Sequence, residues 1–126
     1  MKTLGTLAAA GALTVLSLAG ASAASAESAA ALGCPRPMVA NLDPGSGVMK
    51  GAFNLKVGPY AGTKCPIVSK AAKGAVLYFH CWVENSRGTL WVYARVKGTA
   101  KHGWMSIDNL TGFKNATFQP CPPRRR

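Results

Sequence analysis

The sequence predicts an all-β domain, a small barrel or sandwich of about five short strands, and three observations carry that prediction. Apolar and polar residues alternate in short runs from Phe53 onward, Gly and Pro fall between the runs, and apolar residues at helical spacing are absent. Many short strands without intervening helices bury their apolar faces by closing into a barrel or stacking into a sandwich. Closure also removes exposed edges from a chain rich in β-formers.

The elements follow in order. Met1-Lys2 precedes an uncharged stretch, Leu4 to Gly20, that ends in small residues, with cleavage candidates at Ala21-Ser22-Ala23 and Ala24-Ser25-Ala26. Residues 1–26 therefore read as a cleavable secretory signal peptide. A membrane anchor is the rival, but the stretch is near the lower limit for spanning about 30 Å of hydrocarbon and is diluted by Gly, Ala, Ser and Thr. No second long apolar run follows, so no stable membrane span is expected after processing. Residues 27–51, rich in Ala, Gly and Pro and carrying the turn signal Asp43-Pro44-Gly45-Ser46-Gly47, form an irregular leader.

The strands are expected in residues 52–119. Phe53, Leu55 and Val57 alternate; Ile67 and Val68 follow a long polar loop; then come Ala75 to Val83, Leu90 to Val96 and Trp104 to Ile107. "AVLYFHCWV" follows the turn pair Lys73-Gly74 and is dense in β-branched and aromatic residues, which suits a central strand. "ENSRGT" and "KGTAKHG" supply hairpin connections. Phe113 to Phe118 is a candidate closing strand, and residues 120–126, ending in Arg124-Arg125-Arg126, read as a basic, mobile tail.

A chain this short hides only about two thirds of its unfolded surface, so covalent staples are expected to help. Cys34, Cys65, Cys81 and Cys121 allow three disulfide pairings. The expected one joins Cys65 with Cys81 and Cys34 with Cys121, worth about 3 and about 4 to 5 kcal/mol by loop closure. Metal binding is not expected: no C-x-x-C spacing occurs, and His80 and Cys81 point to opposite sides of a strand. Loss of the signal with Lys2 leaves 14 basic residues against four acidic ones, a net charge of +10. Such a balance favours contact with anionic polymers or surfaces, although the basic residues are scattered apart from the terminal arginines.

These residues resemble the bacterial Src homology 3 domains of exported proteins. Asn54-Leu55-Lys56-Val57-Gly58-Pro59 is similar to the family's opening strand and turn, Cys65-Pro66-Ile67-Val68 to its second strand, and Lys73-Gly74 with Ala75 to Cys81 to its third. Trp91 to Arg95 and the closing Gly103-Trp104-Met105-Ser106-Ile107-Asp108-Asn109-Leu110 complete a match over about Ala52 to Leu110. The resemblance implies a five-stranded Src homology 3-like barrel whose first loop forms one wall of a groove that holds peptides, often those of bacterial cell walls. It makes Tyr60, Trp91, Trp104 and Asn109 the candidate ligand-binding residues. Asn109 stands where the family commonly has an aromatic ring, so one wall is missing or supplied elsewhere, with Phe113 the candidate.

Catalysis finds little support. "HCWV" invites a thiol-nucleophile reading with His102 downstream, but Cys81 lies near the end of a strand pattern rather than in an electropositive helix terminus. The four carboxylates include no close pair, and no phosphate loop or Ser-His-Asp grouping occurs. The expected protein is a secreted, non-catalytic binding module without cofactor. Its expected partner is cell-wall peptidoglycan or an anionic wall polymer. A secreted protein met as interaction partner or inhibited target is the alternative, and nucleic acid stacked on exposed aromatics is a further one.

Overall fold

A computed structural model describes residues 33–123; the expected signal peptide, the first part of the leader and the three terminal arginines lie outside them. Seven strands make up the domain: β1 (Ser46–Met49), β2 (Phe53–Lys56), β3 (Ile67–Ala71), β4 (Val76–Glu84), β5 (Leu90–Val96), β6 (His102–Ser106) and β7 (Leu110–Lys114). A 3-10 turn, Ile107–Asn109, separates the last two, and no α-helix occurs among the described residues. The strands form one antiparallel sheet in the order β3-β2-β6-β5-β4-β1-β7. Ala71 on β3 and Leu110 on β7 stand at opposite ends of that order, yet both belong to one core with Met49, Leu55, Leu77, Phe79, Val92, Ala94 and Met105. The sheet must curl for them to meet.

The all-β expectation holds, with seven strands in place of five. Strands β2 to β5 overlap the expected runs, whereas β6 begins earlier, at His102, and Ile107, expected within it, lies in the 3-10 turn. β1 lies in what reads as irregular leader, because its strand character comes from its neighbours: it pairs with β4 on one side and β7 on the other. Gly47 permits this, since a Cβ there would come 2.8 Å from Cζ of Phe79. β7 begins at Leu110, before the expected Phe113.

β4 is the spine. Leu77 and Phe79 are buried and alternate with half-buried neighbours, then a register shift between Phe79 and Cys81 leaves His80 as the extra residue of a bulge. The bulge changes the phase, so Trp82 joins Phe79 in the core, edge-to-face at 5.0 Å. Two other segments bind this stretch: the His80 carbonyl accepts from the amides of Leu42 and Asp43, and Trp82 N–H donates to the Gln119 carbonyl at 2.9 Å. Cys121 N–H donates to the Trp82 carbonyl, so Pro120 and Cys121 run parallel to β4 rather than trailing as a free tail.

This arrangement corrects the disulfide pairing. The bonds join Cys34 to Cys65 and Cys81 to Cys121, with Cα–Cα distances of 4.9 and 4.7 Å. Cys65 leads into β3 and Cys81 lies on β4, and three strands stand between β3 and β4 in the sheet, so those two cysteines do not meet. Cys81 instead faces the C-terminal segment held beside it. All four cysteines are paired, so Cys81 offers no thiol. Among the described residues, no group of three His, Cys, Asp or Glu gathers to hold a metal, and no helix is long and apolar enough to cross a membrane.

Candidate functional site

The loop between β2 and β3, residues 57–66, is long and irregular but well tied. Val57 N–H donates to the Pro66 carbonyl at 2.9 Å, closing its neck. Lys56, although charged, is buried, and its Nζ donates to the carbonyls of Ala61 (3.3 Å) and Gly62 (3.0 Å) at the loop's crest. Burial lowers the pKa of that ammonium, and the two carbonyls satisfy part of its hydrogen-bonding capacity. Gly58 sits against the Cys34–Cys65 bond: a Cβ there would lie 2.6 and 2.8 Å from the two sulfurs. The disulfide thus fastens the leader to the base of this loop.

A second loop, residues 85–89 of the β4–β5 hairpin, leans against the first. Asn85 Oδ1 accepts from the amides of Arg87 and Thr89, shaping the turn, while its Nδ2 donates to the Pro59 carbonyl at 2.7 Å. Tyr60 completes the brace. Its hydroxyl is 2.7 Å from Ser86 Oγ and accepts from Ser86 N–H at 3.0 Å. The Ser86 hydrogen bonds, then the nearby Lys64 and Arg87, hold the phenol pKa below its usual value against the opposing effect of burial. The ring is only 8% exposed, with Lys64 Nζ 4.4 Å from its centroid. Tyr60 therefore serves less as an exposed hook than as a strut between two loops.

Between these loops and the 3-10 turn lies a cleft of about 420 Å³, lined among others by Tyr60, Lys64, Asn85, Arg87, Trp91, Asp108 and Asn109. The 3-10 turn is fixed by Ser106, whose hydroxyl accepts from Asp108 N–H at 3.1 Å, and by Asn109, whose Nδ2 contacts Met105 Sδ and whose carbonyl accepts from Lys50 N–H. Trp91, the second residue of β5, is 4% exposed and also borders a smaller hollow of about 150 Å³ shared with Asn109 and Ala61. Its indole N–H is buried without a hydrogen-bond partner, the one such side-chain group among the described residues. A buried donor left unpaired costs about 1–3 kcal/mol, so an acceptor delivered to it is strongly rewarded.

Of the four candidate residues, the structure brings Tyr60, Trp91 and Asn109 together in this cleft. Trp104 is elsewhere. It is 2% exposed, packs edge-on to Tyr93 at 5.5 Å and borders a different cleft of about 280 Å³, between the leader and strands β2 and β6. Phe113 is not a wall of the Tyr60 cleft; it packs on Phe79 and Phe118, each at 6.0 Å. The cleft wall opposite Tyr60 is polar, made by Asp108 and Asn109. Sequence reasoning passed over Lys64, Asn85 and Arg87, whose one available signal was their place in the two loops that flank an aromatic residue.

No protein-family model, curated protein or solved structure matches this chain.

Proposed function

We propose that the protein is a secreted, non-catalytic binding module of the bacterial Src homology 3 type that holds cell-wall peptide in the cleft bounded by Tyr60, Trp91 and Asn109. The observation that carries this reading is a concave site of about 420 Å³ built by two loops and the 3-10 turn, with the aromatic residues Tyr60 and Trp91 among its lining. An aromatic wall with a few fixed polar groups is the usual make-up of a ligand site, and the indole N–H of Trp91 is a buried donor without a partner that a rearranged, ligand-bound site could satisfy. The succession of strand, long loop, strand, two hairpins, 3-10 turn and strand accords with the family resemblance. Two disulfides suit an oxidising location outside the cell. The positive charge draws the domain toward anionic walls, with affinity that falls as salt rises.

Sedimentation with purified, insoluble peptidoglycan tests the reading. The protein is expected in the pellet at low salt and partly released by added salt. A supernatant fraction unchanged by the walls at any salt concentration would refute it.

A further inference from the structure

The cleft is charged unevenly. Lys64 from the first loop and Arg87 from the second both line it, and both act electrostatically on the Tyr60 hydroxyl that joins those loops. The 3-10 turn contributes Asp108, the single carboxylate among the lining residues. Among the described residues neither cation has a carboxylate within ion-pair distance. The backbone of Arg87 is held by Asn85, which fixes the root of a side chain whose head is left to a partner. The cations at Lys64 and Arg87 therefore differ from the scattered surface charge: they belong to one concave site, together with Tyr60 and Trp91.

We propose that this cleft selects the free carboxylate end of a short peptide, received between Lys64 and Arg87, with an N–H or ammonium group of the same ligand directed to Asp108. The inference rests on the reading of the cleft as a peptide site and adds the ligand's chemistry to it. A guanidinium presents two parallel N–H donors that match a carboxylate, and Lys64 adds a second charge from the facing loop. The indole ring of Trp91 lines the same cleft and packs against the bound peptide. A continuous polyanion fits less well, since a site of about 420 Å³ that contains Asp108 sets like charge against part of any charged chain threading it. A peptide with one anionic end and a hydrogen-bond donor meets both walls with opposite polarity.

The test uses muropeptides released from purified peptidoglycan by a muramidase, either native or with their carboxyl groups converted to amides through a carbodiimide. Titration of the full chain is followed by tryptophan fluorescence and by the NMR signal of the Trp91 indole N–H. Native muropeptides are expected to bind and shift that signal, and amidated ones to bind at least about ten-fold more weakly, the loss of two charge contacts. R87Q, at an exposed position that leaves the fold intact, is expected to weaken the native form about five-fold and leave the amidated form unchanged. Equal binding of the two forms, or an R87Q effect that is the same for both, overturns the proposal, as does displacement of bound muropeptide by inorganic polyphosphate at equal charge. Sedimentation with walls but no binding of either muropeptide form also overturns it. Absence of both sedimentation and muropeptide binding instead overturns the peptide reading itself.

Discussion

Trp82 Nε1 donates to Asp43 Oδ2 at 2.8 Å, joining residues 39 positions apart in a site where the carboxylate is 2% exposed. The same carboxylate accepts from Gly45 N–H (2.8 Å) and Thr117 N–H (3.2 Å) at Oδ1 and from Phe118 N–H (2.8 Å) at Oδ2. One acidic side chain thus knots the leader, the spine and the C-terminal segment. Phe118 adopts φ 54°, a left-handed conformation that a Phe rarely takes, and in it the amide reaches Asp43 while the ring lies 4.8 Å from Trp82.

Asp43→Asn retains the shape and loses the charge, and, since each oxygen accepts from two donors, it sets an amide NH₂ against two of the four. A loss of about 2–4 kcal/mol in denaturant unfolding with disulfides intact is expected. Burial pushes the Asp43 carboxyl up, but the hydrogen bonds from Gly45, Thr117, Trp82 and Phe118 together outweigh it and hold the pKa below the usual 3.8. A depressed folded pKa means that the stabilisation is complete above about pH 4 and is lost as pH falls through the folded value. Wild-type stability should therefore drop steeply below about pH 4, and the Asn variant, already weakened, should show a shallower acid limb.

His80 acts in a different pH window. Burial, with smaller contributions from His102 at a ring distance of 5.3 Å and from Arg95, holds its pKa below the ordinary 6.5. The unfolded chain then binds the proton more readily than the folded one, so stability is full above 6.5 and declines as pH falls from there toward the folded pKa. Tyr93, at 5.7 Å, completes the ring cluster. Melting temperatures at pH 7.5 and 5.0 should differ for the wild type and differ less for His80→Gln, whose backbone carbonyl still accepts from Leu42 and Asp43. An unchanged slope in the variant would assign the pH dependence to other groups.

The two disulfides span 31 and 40 residues, and loop-closure entropy gives each a worth of about 4 kcal/mol. Their removal should have different consequences. Cys34→Ser with Cys65→Ser frees the base of the loop that carries Tyr60 and Lys64, and should weaken wall binding as well as stability. Cys81→Ser with Cys121→Ser releases the segment beside Trp82, none of which lines the cleft, and should lower stability with less effect on binding by the remaining folded protein. Mass spectrometry of an unreduced digest checks the pairing directly, through a cross-linked peptide containing Cys34 and Cys65.

What the sequence made legible follows from where the signal is local. The alternation in Val76 to Glu84 and Leu90 to Val96 is written in consecutive side chains, and those strands lie where it puts them. β1 is legible only with its neighbours present, since a Ser-Gly-Val-Met run has weak strand preference until β4 and β7 flank it. The disulfide pairing depends on strand order, which spacing between cysteines does not encode. Asp43 was hidden by its own turn signal, because Asp-Pro-Gly reads as solvent-facing whether or not other segments close over the carboxylate. Trp91 and Trp104 look alike as strand aromatics. Register assigns one to the Tyr60 cleft and the other to the cleft between the leader and strands β2 and β6.

Trp91→Phe separates packing from hydrogen bonding at the candidate site. In the unliganded protein the indole N–H has no partner, so its removal breaks no hydrogen bond and relieves a buried unsatisfied donor. The lost ring volume opposes this gain, and the net change in unfolding free energy should stay within about 1–2 kcal/mol. Binding should respond quite differently. If a wall peptide supplies the missing acceptor, its carbonyl loses that donor in the variant, and affinity for walls should fall about ten-fold while the fold remains intact. Trp104→Phe is the control, since that residue is equally buried but borders the other cleft. It should cost comparable stability and leave sedimentation with peptidoglycan unchanged. Equal loss of wall binding in both variants would mean that the indole at position 91 acts only as packing.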